Sequence, residues 1–124
     1  PNVFAAIAPA AAFTHGGEWL DELNAYLWEN RKMAEEYIDH EIENVTAVHG
    51  EATYLLWIDC REVTEDSEEL SDFIRKETGL YISAGKEYHN GDGFLRMNLA
   101  CPRARLEDGL KRLKAGIEAY RANI

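Results

Sequence analysis

Apolar residues return along this chain in two rhythms, one helical and one alternating, and together they lay out most of the elements. From Glu18 to about Ile42, Leu20, Leu23, Leu27, Ala34 and Ile38 recur at helical spacing, with Trp19, Tyr26, Met33 and Tyr37 widening the stripe on one side. This predicts one long helix, about 35 Å at ~1.5 Å per residue, which is long for a small domain. Before it, the alanine-rich run PNVFAAIAPAAAF is helix-prone, with Pro9 expected to interrupt or kink it and Gly16-Gly17 to end it. Val45 to Val48 and Thr53 to Cys60 read as two strands of a hairpin around His49-Gly50-Glu51-Ala52. The segment from Asp66 to Gly79 carries a cap signal in Asp66 with Glu69 three residues later, acids in its first turn, bases late, and a glycine stop, which predicts a helix. Leu80 to Ala84 follows as a short strand, and a glycine-punctuated loop, 85–93, leads into a further strand that stops at Cys101-Pro102. Leu106, Leu110, Leu113, Ile117 and Tyr120 mark a last amphipathic helix. The order predicts an α+β two-layer sandwich, a small mostly antiparallel or mixed sheet of three or four strands packed with helices.

The strand after the loop raises a question of chemistry. Successive side chains of a strand point to opposite faces, so Leu95, Met97 and Leu99 share a core face, while Phe94, Arg96, Asn98 and Ala100 share the other. Arg96 is the sharp candidate there. Its planar, always-charged fork grips a carboxylate with two parallel hydrogen bonds, a grip that lysine cannot reproduce. Buried without a partner, it would cost several kcal/mol, so a buried Arg96 must meet an anion, either an acid of its own chain or a ligand. Spacing leaves open whether it meets an internal acid, solvent or a ligand.

Composition narrows the classes. The 124 residues are 46% hydrophobic and 29% charged, which fits one globular domain with a modest core. A formal net charge of -10 argues against nucleic acid or an anionic membrane as the main partner, because both are polyanions. Cys60 and Cys101 are too few for a disulfide framework, which favours a reducing, cytoplasmic setting. As nucleophiles they are poorly served: Cys60 follows Asp59, and Cys101, though nearer to Arg103 and Arg105, reads first as a structural thiol. The four histidines lack metal spacing, and Asp39-His40-Glu41-Ile42-Glu43 reads as the solvated end of a charged helix, so no metal is implied. The glycines of the 85–93 loop precede a strand rather than a helix N-terminus, so they read as a tight turn before Phe94 rather than a phosphate cradle.

The run GFLRMNLACPR (93–103), preceded by AAAFTHGGEWLDELNAYL (10–27), Asn30 and TYLLWID (53–59), resembles the C-terminal third of class I/II aminotransferase-type enzymes. Within that family it is most similar to C–S lyases of the cystathionine β-lyase type, and the resemblance covers nearly all of the chain. It implies the small domain of a fold-type I enzyme, with residues 17–124 as that C-terminal domain and residues 1–16 as the end of a helix leaving the large domain. It implies pyridoxal 5'-phosphate as cofactor of the whole enzyme, an amino-acid substrate whose α-carboxylate Arg96 binds, and a homodimeric parent. The family's Schiff-base lysine lies in an upstream Ser-x-x-Lys segment that these residues lack, and Lys32, Lys76, Lys86, Lys111 and Lys114 do not match it. With no initiating methionine, the chain reads as a processed product or a piece of a longer protein, expected to be inactive alone and to hold no cofactor. Glu87-Tyr88-His89-Asn90 departs from the Phe-Gly pair that relatives tend to carry. Two other readings stand beside the lyase: an aminotransferase, and a non-catalytic module binding a small acid or a protein.

Overall fold

A computed structural model describes residues 2–123; Pro1 and Ile124, the outer ends of the two expected segments, lie outside them. Four helices and four strands follow one another as α1 (Val3–His15), α2 (Gly17–Glu41), β1 (Thr46–Ala47), β2 (Leu55–Asp59), α3 (Ser67–Thr78), β3 (Ser83–Ala84), β4 (Phe94–Asn98) and α4 (Arg103–Ala122). The sheet runs β1-β2-β4-β3 with every pairing antiparallel, so the α+β expectation holds in its antiparallel form.

The central pair carries the core. Leu56 and Ile58 of β2 and Leu95 and Met97 of β4 are buried, and the residues between them are half-buried or exposed. Onto that buried face pack Ile38 of α2, Leu70 and Ile74 of α3, and Leu106, Leu110, Leu113 and Ile117 of α4. Burying a Leu or Ile side chain stabilises by roughly 1.5–3 kcal/mol, so this cluster dominates the stability of the fold. Helices α3 and α4 approach closely at Gly116, where a Cβ would stand 2.9 Å from an Ile74 side-chain carbon.

Local signals explain the ends of α3. The Asp66 carboxylate accepts from the Glu68 and Glu69 amides, and Gly79 closes the helix at φ 77°, a left-handed conformation that suits glycine.

Three expectations change. Pro9 does not break α1: six of the helix's thirteen residues are alanine, the best helix former, and the turn carries through the missing N–H. Strand β3 is shorter than Leu80–Ala84, because only Ser83 and Ala84 pair with β4, opposite Arg96 and Leu95. The stripe of α2 is only half used: Asn30, Arg31, Ala34 and Ile38 are buried, whereas Trp19, Leu20, Tyr26 and Trp28 stay exposed. Helix α1 has no buried residue at all, and Phe13 is 93% exposed.

Candidate functional site

Strand β4 places Arg96 at the middle of the sheet, opposite Trp57 of β2 on one side and Ser83 of β3 on the other. The pleat turns its side chain to the face away from the helices, as the alternation predicts. A row of aromatic rings begins at it. The guanidinium lies over the Tyr88 ring with 4.2 Å from Cζ to the centroid, Tyr88 meets Trp57 edge-on at 5.6 Å, and Trp57 meets Phe94 edge-on at 6.0 Å. Arg61 covers the far side of Phe94 at 4.9 Å, so the open face is a row of cations and rings running Arg61, Phe94, Trp57, Tyr88, Arg96. Each cation–ring contact is worth about 0.5–1 kcal/mol where solvent reaches it.

The two ends of the row differ. Arg61 is satisfied within the chain, with Nε and Nη2 on the two oxygens of Asp59 at 2.9 and 2.7 Å, and that pairing holds the Asp59 carboxyl below its usual range. Arg96 has no hydrogen bond or ion pair among the described residues; its only close polar-group partner is the Tyr88 ring.

Arg96 opens onto a groove of about 720 Å³ between the β3–β4 edge and the start of α4. Because β3 begins only at Ser83, Met97 and Asn98 have no strand on that side, and Tyr81, Ile82, Ala100, Cys101 and Arg105 line the walls with them. Arg112 also reaches the groove, but it is engaged with Asp108 at 2.8 Å and with the Thr78 carbonyl. Asn98 shares the groove, and its Oδ1 accepts from the Ala100 amide at 2.8 Å, shaping the turn out of the strand. A half-buried fork with its N–H groups unused has the chemistry to accept a carboxylate by two parallel hydrogen bonds.

Other sequence candidates fall elsewhere. Cys60 is fully buried, and burial followed by the Asp59 charge pushes its thiol up to about 12. Cys101 lines the groove, but burial raises its thiol more than Arg105 lowers it, so neither thiol is activated. Asp39 turns away from its helical neighbours to accept from the Ala47 amide and to face His49. Among the described residues no group of three His, Cys, Asp or Glu is set to hold a metal. Lys32, Lys86 and Lys114 pair with Glu29, Glu68 and Glu41, Lys76 and Lys111 lie on α3 and α4, and none of the five lines the groove.

Sequence reasoning missed Trp57, Tyr88 and Arg31. The first two had a signal: with β2 antiparallel to β4, the alternation that exposes Arg96 also exposes Trp57, and the loop's turn returns Tyr88 to the same face. Arg31 had none, since a basic residue in a charged helix reads as solvated. It is only 4% exposed, and its Nη2 donates to the carbonyls of Ala52, Thr53 and Leu55.

No helix of the described residues is long and apolar enough to cross a membrane. The family model for aminotransferase class I and II matches residues 1–113. The chain is 37% identical over 117 residues to cystathionine beta-lyase PatB of Bacillus subtilis, covering 94% of this chain and 30% of that protein. It is 33% identical over 122 residues to Protein MalY of Escherichia coli, covering 98% of this chain and 31% of that one. Among solved structures, the PLP-bound C–S lyase from Staphylococcus hominis superposes with a TM-score of 0.85 at 31% identity, over 94% of this chain and 29% of that one. Cystalysin from Treponema denticola superposes with a TM-score of 0.80 at 26% identity, over 87% and 28%. The chain thus spans about 30% of the length of the curated relatives it matches. Its sheet and helices superpose on a segment of those structures, its sequence aligns over nearly its whole length, and the chain belongs to the aminotransferase class I and II family.

Proposed function

We propose that this chain is the C-terminal portion of a pyridoxal-phosphate-dependent C–S β-lyase acting on amino acids, and that Arg96 binds the substrate's α-carboxylate. The observation that carries the reading is the state of Arg96: half-buried, held by a ring, and joined to no carboxylate of the described residues. Its in-plane N–H donors take the carboxylate as two parallel hydrogen bonds, and this fixes the orientation of the rest of the substrate. The nearness to cystathionine beta-lyases supports a lyase over an aminotransferase, which shares the same anchor.

The cofactor does not fit these residues as its holder. Pyridoxal phosphate supplies an electron sink at the substrate α-carbon, and holding it covalently takes a lysine that the groove lacks among the described residues. On this reading the chain alone turns over nothing, and the cofactor belongs to a large domain outside it. Residues 1–16 are then the end of a connecting helix and residues 17–124 the small domain. The wholly exposed apolar helix α1 and the unused half of the α2 stripe support that division. A homodimer, a cytoplasmic setting and no contact with nucleic acid or membrane complete the proposal.

The test uses the complete gene product that contains this chain. Arg96→Lys keeps the charge but loses the fork, and is expected to raise KM for a thioether amino acid about 10- to 100-fold, on the ~1.5–3 kcal/mol typical of a charge-assisted pair. An unchanged KM in that variant overturns the assignment. Transfer of the amino group to a keto acid, in place of thiol release, moves the reading to the aminotransferase.

A further inference from the structure

We propose that Tyr88 is a positioning residue for Arg96: its ring is the platform that fixes the plane of the guanidinium, so that the fork meets the substrate carboxylate edge-on. The inference rests on the carboxylate-binding reading of Arg96 and adds to it a residue and a device that the family match does not assign.

Three observations carry it. The first is the contact itself, with the guanidinium carbon over the Tyr88 ring at 4.2 Å from its centroid. A ring attracts the face of a guanidinium and leaves the N–H groups, which lie in its plane, free for a carboxylate. With Cζ over its ring, Tyr88 supports the guanidinium without an acceptor atom that would use up an N–H group. The second is that Arg96 lines the groove and Tyr88 does not, so the ring reaches the ligand only through the cation it supports.

The third is that the platform is rigid. Gly85 and Gly91 cross so closely that a Cβ on Gly85 would lie 2.2 Å from the Gly91 carbonyl oxygen, and one on Gly91 would lie 2.0 Å from the Gly85 carbonyl oxygen. Between them the Tyr88 amide donates to the Gly85 carbonyl at 2.9 Å, and the Gly91 amide to the Tyr88 carbonyl at 3.2 Å. The loop is tied to α3 as well, with the Lys86 amide on Ser67 Oγ at 3.1 Å and Lys86 Nζ on Glu68 at 3.4 Å. Trp57, directly across from Arg96 in the ladder, meets the Tyr88 ring nearly perpendicularly, with 85° between the planes. A flexible arginine carries up to about 2 kcal/mol of rotamer entropy, and restraining it before the ligand arrives shows as affinity.

The experiment compares Tyr88→Phe, which keeps the ring and loses the hydroxyl, with Tyr88→Leu, which keeps bulk and loses the ring, in the full-length enzyme. Tyr88→Met replaces the leucine variant if that one does not accumulate folded. Two quantities are read: KM and kcat for a thioether amino acid, and the calorimetric Kd of propionate, which has a carboxylate but no amino group to react. Loss of the ring is expected to raise KM and the propionate Kd about five- to tenfold with kcat within about twofold, and Tyr88→Phe to stay within about twofold of the parent throughout. Unchanged KM and Kd in the leucine or methionine variant, an equal loss in Tyr88→Phe, or a fall in kcat alone each overturn the proposal. If Arg96→Lys raises KM while Tyr88→Leu does not, the platform fails and the carboxylate anchor stands; if Arg96→Lys changes nothing, the anchor itself fails.

Discussion

Arg31 and Arg96 meet the β2–β4 pair, one at its end and one at its middle, and they are used in opposite ways. Arg31 of α2 is 4% exposed and fully engaged, with three main-chain carbonyls at 2.8 to 3.2 Å and Glu35 at 3.4 Å. Arg96 of β4 meets a ring on one side and no acid or carbonyl of the described residues on the other. A buried cation must be compensated, and Arg31 shows how this fold does so when compensation is the purpose. The contrast leaves Arg96 as the cation not compensated by an acid or carbonyl of the described residues, in keeping with the proposed external carboxylate, a distinction that formal charge and helix or strand propensity cannot make.

The sharpest way to break the comparison is Arg31→Met. It strips donors from the Ala52, Thr53 and Leu55 carbonyls and is expected to cost about 2–3 kcal/mol, part of it recovered by water at the exposed turn, read as a lower urea midpoint. On the same scale Arg96→Lys is expected to stay within about 0.5 kcal/mol, because it leaves no internal group unpaired. A loss at Arg96 as large as that at Arg31 would place both in the same structural class and end the distinction.

The smallest effect tests the outer side of the Arg31 cluster. His49 faces Glu35 with Nδ1 at 2.9 Å and Asp39 with Nε2 at 3.0 Å, and only the imidazolium donates from both nitrogens. The hydrogen bond to Glu35, that carboxylate's charge and then Asp39 hold the ring's proton above the ordinary histidine range. A group whose folded pKa is raised contributes stability that is fully present below about pH 6.5 and lost as pH climbs through the folded value. The stability difference between the parent and His49→Gln is therefore expected to shrink from about pH 6 to about pH 8, followed by thermal melts. A gap that widens with pH contradicts the geometry.

How far the sequence foretold this molecule depends on the reach of each interaction. Helix α3 was fully legible, because Asp66 and Gly79 act within one turn of their own positions. So was the face of Arg96, since the pleat is a period-two rule and Leu95 and Met97 obey it. The length of β3 was not, because Leu80 to Ile82 have strand chemistry but only Ser83 and Ala84 find a partner on β4. Nor was the burial of Arg31, whose partners lie more than twenty residues downstream. Tyr88 fell between the two: the glycines of its loop announced a tight turn, but its position beneath Arg96 depends on where that turn lands against the sheet.

Asn30 and Arg31 are neighbours on one turn of α2, and they grasp different strands. Asn30 Nδ2 donates to the carbonyls of Leu99 and Cys101, both at 3.0 Å, just past the end of β4, while Arg31 holds the approach to β2. Helix α2 is 25 residues long, and its first half stands clear of the core. It is a lever arm of about 37 Å at ~1.5 Å per residue, fastened by its midpoint to the two strands at the heart of the sheet. A displacement of the exposed end is therefore passed to the Arg96 strand and its neighbour through the Asn30 and Arg31 hydrogen bonds together with the packing of Ala34 and Ile38.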